Sequence, residues 1–315
     1  MPGNDTTAPP RMSGRLPAAL TSMPVQLLLL FVILAAIDLA CQWLGARLVY
    51  AAPAPLRDAA RVLAALILSL AMIASYRFLV SMLERRTADE LRSSGAVRAL
   101  APGVLVGAGL FGLVCAILWA LGAVTFRGFG SFAGVGQAFA TAIAAAVGEE
   151  IVFRGVVYRR LEERLGTTIA LVVSAAAFGL VHAGNLGANW ASTLAIALES
   201  GVLLGLAYAA TRSLWLPIGL HFGWNFTEGG IFGAAVSGGQ NSGLINAPLA
   251  GPPLITGGAF GPEASLAALV VSLSASIALA WYVVHTGRWR PPRWRSRHTG
   301  AADGGPHDRG RRGNG

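Results

Sequence analysis

Apolar residues run along this chain in long blocks rather than alternating with polar ones. The first block covers 25–48, and others follow at 60–82, 100–122, 134–157, 167–184, 190–210, 214–233 and 264–285. Each approaches the ~20 residues that a helix needs to cross a bilayer. The pattern therefore predicts an all-α fold, a polytopic membrane helix bundle of about eight transmembrane helices. The first block is not a cleaved leader, because Asp38, Gln42 and Trp43 separate its apolar part from the small residues Ala51, Ala52 and Ala54. The stretch 234–263 is apolar and rich in Gly and Pro but has no helical period, and is expected to be a long loop, re-entrant if anything.

Composition agrees. Hydrophobic residues make up 54% of the 315 and charged residues 12%, about half of what a soluble surface needs. An ordinary soluble enzyme, a coiled coil and a disordered protein are excluded. All 24 basic residues are Arg, which with 40 Gly suggests GC-rich, bacterial coding rather than a demand for guanidinium. Cys41 and Cys115 both lie in apolar blocks, so neither a disulfide framework nor a thiolate metal site is indicated.

Charge placement orients the bundle. With a cytoplasmic N-terminus, segments on the inside hold 19 Arg and those on the outside four, namely Arg47, Arg57, Arg61 and Arg127. This is the bias of a multi-pass protein of the plasma membrane with both termini in the cytoplasm. Eight Arg fall between Arg288 and Arg312. Beside a membrane span such a tail sets topology or touches anionic lipid, so no nucleic acid partner is expected. The expected organisation is a disordered N-terminus (1–20), transmembrane helices 1–3 (21–130), a further transmembrane region (131–286) and a disordered basic tail (287–315).

Chemistry concentrates in the fourth block, which carries Glu149, Glu150 and Arg154. Each such charge opposes insertion by roughly 2.5–3.5 kcal/mol. Glu150 and Arg154 are i and i+4, about 40° apart around a helix, and are expected to pair. Glu149 lies about 140° from Arg154 and is left to face something else. A desolvated carboxylate next to another can exchange protons as a general base. Later blocks supply partners: Phe178 and His182 in the fifth, and His221 and Asn225, i and i+4 on one face, in the seventh. A lone membrane His is an ordinary packed residue; two His, an Asn and an orphan Glu on separate spans point to a shared polar interior. Glu199 and Glu228 are candidates to line the same cavity. Gly201 and Gly205 form a small-xxx-small pair suited to helix packing.

Glu-Glu-x-x-x-Arg, then Phe-x-x-x-His, then His-x-x-x-Asn, in that order on three spans, resembles the type II CaaX prenyl endopeptidase family. This is the CPBP group, which includes the Ras-converting enzyme and bacterial immunity-type proteins. The strings EEIVFRG (149–155) and SLWLPIGLHFGWNF (213–226) resemble its bacterial members. The resemblance covers 148–225 and implies an eight-helix intramembrane endopeptidase acting on a peptide or membrane protein. Carried over, Glu149 and His182 would activate water, His221 and Asn225 would stabilise the oxyanion, and Glu150, Arg154 and Phe178 would support the site. Cleavage is expected near the cytoplasmic side of the bilayer. No cofactor is favoured; a zinc site, if there were one, would use Glu149, His182 and His221 with an open position. The residues themselves also allow a proton- or cation-coupled transporter, and a non-catalytic immunity or scaffold protein.

Overall fold

The computed structural model describes residues 22–130 and 132–294, so the expectations for 1–20 and for the tail beyond 294 lie outside the described residues. The chain forms α1 (Met23–Ala51), α2 (Arg57–Leu79), α3 (Ala96–Ala120), α4 (Phe132–Glu150), α5 (Arg159–His182), α6 (Trp190–Ile196), α7 (Val202–Thr211), α8 (Trp215–Asn225), the single turn α9 (Pro253–Thr256) and α10 (Leu266–His285). Six helical stretches are long and apolar enough to cross a membrane. One of them, Gly134–His182, has 49 residues and is broken at Gly166, whose backbone is left-handed (φ 77°). It therefore makes two passes. The eighth pass is α8 with its extension to Ile231, too short to stand out by length. The protein is thus a multi-pass helical membrane protein, as the apolar blocks predict. Leu39, Leu70 and Ile277 are among many large apolar side chains left exposed to lipid.

Several helices unwind into wide π-type turns without breaking. Ile151–Tyr158 continues α4, Ala197–Gly201 joins α6 to α7, and Phe226–Ile231 continues α8. Such turns re-aim the side chains that follow them and recur at functional sites. Here they carry Arg154, Glu199 and Glu228.

Helix α8 is held by contact between backbones. A Cβ on Gly107 of α3 would stand 2.1 Å from the Leu220 carbonyl oxygen, and one on Gly223 would stand 2.2 Å from that of Val104. Gly103 and Gly219 meet the partner helix in the same way. Two Gly-x-x-x-Gly faces thus lock together, as small residues do in lipid where no hydrophobic drive separates helix from tail. Gly201 and Gly205 pack against Ala175 and Leu171 of α5.

The two ends of the bundle differ. At one end Arg159 binds Glu84 (2.5 Å) and Glu163 (2.7 Å), while Arg86 binds Glu84 (2.6 Å) and Glu90 (2.7 Å). Glu162 meets Arg212 and accepts from Thr167 (2.6 Å). The chain after α10 lies across the break at Gly166, where Thr167 and Arg290 exchange backbone and hydroxyl hydrogen bonds of 2.9 Å. At the other end, the loop read as re-entrant does not return into the bundle as a helix. It lies over the helix ends in extended form, with antiparallel bridges between Val124 and Leu249 and between Phe129 and Ile245. Its backbone groups find partners in the α3–α4 connection, as a segment lacking helical period requires.

Candidate active site

Glu149 and Glu150 end α4 side by side and meet different fates. Glu150 is fully buried. Its Oε1 accepts from Arg154 Nη1 at 2.8 Å and lies 3.0 Å from His221 Nδ1. The i, i+4 pair forms as the spacing predicts; the contact with His221 was not legible from it. Arg154 goes further, donating from Nη2 to the carbonyls of Ser200 (2.9 Å) and Gly201 (3.1 Å). Its guanidinium stands 4.5 Å above the Phe178 ring. Phe178 in turn packs edge-on against Phe153 and beside His182. One buried cation thus ties α4, α5, the turn before α7 and, through Glu150, α8.

Glu149 instead keeps 28% of its side chain exposed, and its Oε2 lies 3.8 Å from His182 Nε2. That is too long for a hydrogen bond and suits one shared water. His182 Nδ1 stands 2.7 Å from the Phe178 carbonyl, which can only accept. Nδ1 must therefore carry a proton, and in the neutral ring Nε2 is a lone pair facing Glu149. Two acceptors face each other at that distance, and Glu149 Oε2 is buried without a hydrogen-bond partner.

Glu149, His182, His221 and Asn225 line one cavity of about 570 Å³. Phe178 borders it, while Glu150 and Arg154 lie beneath. The chemistry-bearing residues of the three motifs therefore converge as their spacing suggests.

Two expectations are corrected. Glu199 and Glu228 do not line the cavity: both are buried, at 1% and 0% exposure, outside its wall. Ser200, one residue on, is the one that reaches it. Glu228 follows Asn225 on the wide turn Phe226–Ile231, whose winding rotates it off the face shared by His221 and Asn225.

Two acidic residues enter that the motifs did not mark. Glu263 lines the cavity and its Oε1 accepts from the Ser237 amide (2.6 Å) and hydroxyl (2.7 Å). Asn185 Nδ2 donates to the Ser237 carbonyl (3.0 Å), so this wall is pinned from two sides. Glu263 is the only Asp, Glu or Arg between Glu228 and Arg288, and that isolation was the available signal. Asp38, midway along α1, fits against Gly148; a Cβ there would lie 2.2 Å from Asp38 Oδ1. It accepts from Gln42 (2.9 Å) and sits next to Glu149 in a second cavity between α1, α2 and α4.

Nδ1 of His182 is engaged by the Phe178 carbonyl and Nδ1 of His221 by Glu150, which leaves Nε2 of each ring as the nitrogen available to a further partner. No group of three or more His, Cys, Asp or Glu among the described residues is placed to hold a metal ion.

The model of a family described as "Type II CAAX prenyl endopeptidase Rce1-like" matches residues 131–227. The interval contains all seven residues of the three motifs and stops short of Glu228 and Glu263. No curated protein matches the chain, and no solved structure does.

Proposed function

From the premise that this chain belongs, through residues 131–227, to the Rce1-like family of type II CAAX prenyl endopeptidases, we propose that it cuts a peptide bond by a water held between Glu149 and His182. The observation that carries this reading is the pair of facing acceptors, Glu149 Oε2 and His182 Nε2, 3.8 Å apart beside a cavity that both residues line. A water there would donate one proton to each, leaving a lone pair for the scissile carbonyl. As the oxygen attacks, Glu149 takes the proton and later delivers it to the leaving amine.

The negative charge that develops on the carbonyl oxygen needs donors. Asn225 offers its amide. His221 offers Nε2 only as the imidazolium, because its Nδ1 already faces Glu150. Glu150 would sustain that cation while sharing Arg154, which gives the buried carboxylate two positive neighbours and the site its rigidity. Such a preorganised donor is typically worth roughly 10²–10³ in rate. An enzyme working in this way is glutamate-dependent.

The test is cleavage of a membrane-peptide library by detergent-purified protein. Wild type and Glu149→Gln would be compared, each with and without a strong chelator. Cutting by wild type alone, indifferent to chelator, is expected. Loss of wild-type activity with chelator and recovery with zinc would replace the mechanism, and equal cutting by Glu149→Gln would remove the residue from it.

A further inference from the structure

The cavity and the arginines lie at opposite ends of the bundle. Passes alternate, so α2, the α4–Tyr158 run, α7 and α10 finish at the end that carries Arg77, Arg159, Arg212 and Arg288. The connections after α1, α3, α5 and α8 lie at the other end, where the sequence has only four arginines. The walls of the cavity rise toward that second end. From the floor at Glu149 and His221 they pass Gln137 and Thr141 in the first turns of α4, then Leu186 after α5 and Gln240 after α8. Leu186 and Gln240 are exposed at the rim.

A second, more apolar cavity of about 740 Å³ runs between α1, α2 and α4 and meets the first at Glu149. Its polar margin is Tyr50, Arg57 and Arg61, at the α1–α2 connection and so at the same end. The arginine-rich end, by contrast, is crossed by the ion pairs of Arg159, Arg86 and Glu162 and by the strap of chain at Thr167.

We infer that the substrate reaches Glu149 from the arginine-poor face, which the distribution of positive charge puts outside the cytoplasm. The substrate class is then an exported polypeptide, or the external segment of a membrane protein, with apolar anchorage beside α1 and α2. A cytoplasmic, C-terminally lipidated protein would be on the wrong side. Cleavage would then fall toward the arginine-poor face, against the expectation of cleavage near the cytoplasmic side. Gln137 and Thr141 bring uncharged polar groups to the cavity wall, while Asn185, Ser237 and Glu263 are tied to one another. This inference rests on the hydrolytic reading for its substrate, and on topology alone for its side.

Sidedness is measurable without activity. In a chain with Cys41 and Cys115 replaced by Ser, Gln240→Cys would report the cavity rim and Ser94→Cys the arginine-rich end. Both are placed in a bacterial inner membrane and treated with a membrane-impermeant maleimide, in right-side-out and in inside-out vesicles. Gln240→Cys should label only in the first and Ser94→Cys only in the second. Labelling of Gln240→Cys from the cytoplasmic face, or from neither face before detergent is added, would overturn the inference while leaving hydrolysis intact. A second arm adds an impermeant peptide, cut by the purified enzyme, to both kinds of vesicle. Cutting confined to right-side-out vesicles supports the substrate class, and cutting confined to inside-out vesicles overturns it. If Gln240→Cys labels as expected but purified wild type and Glu149→Gln cut alike, the hydrolytic reading fails and the substrate class falls with it.

Discussion

At the arginine-rich end, Glu84, Glu90, Glu162 and Glu163 each stand against at least one guanidinium. Around the cavity, Glu149, Glu199, Glu228 and Glu263 have no arginine ion pair among the described residues. Glu150, one residue from Glu149, belongs to the first group although it sits in the second place. The contrast teaches what each carboxylate is for. A buried carboxylate with its cation is held, and removing the partner exposes the full desolvation cost. One without such a partner is not fixed in place by an ion pair.

The sharpest way to break the comparison is to exchange the two neighbours. Glu149→Gln should lower kcat by roughly 10²–10⁴ with the melting temperature unchanged. Glu150→Ala should instead destabilise the fold by about 3–5 kcal/mol, because Arg154 is left buried without its carboxylate. Thermal unfolding in detergent next to single-turnover cleavage separates them; identical behaviour of the two variants would remove the distinction. Next in size, Asn225→Ala should cost roughly 10²–10³ in kcat with KM little changed. A pure KM effect would make Asn225 a binding residue instead.

A smaller effect is expected from the held group. Burial acts to raise Glu90, but hydrogen bonds from Arg86 and the charges of Arg159 and Arg86 outweigh it and keep this carboxyl below its usual range. Its folded value is depressed, so its contribution is complete above the ordinary Glu range and is lost as pH falls through the folded value. Melting temperature should therefore drop on acidification, and Glu90→Gln should drop less steeply between neutral and acidic pH. Equal slopes would show that the pairing adds nothing to stability.

Much of this was written into the order of apolar blocks and motif residues. Eight blocks became eight passes, and Glu149, His182, His221 and Asn225 met in one cavity, because in lipid a polar side chain has only the interior to turn to. What escaped depended on contacts between distant segments. Glu263 lies in a loop with no period to place it, and Asp38 is brought to Glu149 only because Gly148 has no side chain. Glu199 and Glu228 misled for another reason: counting by 3.6 residues per turn assumes regular helix, and both ride on wide turns.

The strap at Gly166 has a consequence for how the molecule is made. Thr167 and Arg290 bond across 123 positions of the chain, so their contact waits until the final pass has been synthesised and seated. Every residue of the cleft is translated before that moment. The strap is a completion mark: a chain terminated after α10 would retain the whole cleft, yet leave the turn at Gly166 uncovered and Glu162 without Arg290 nearby.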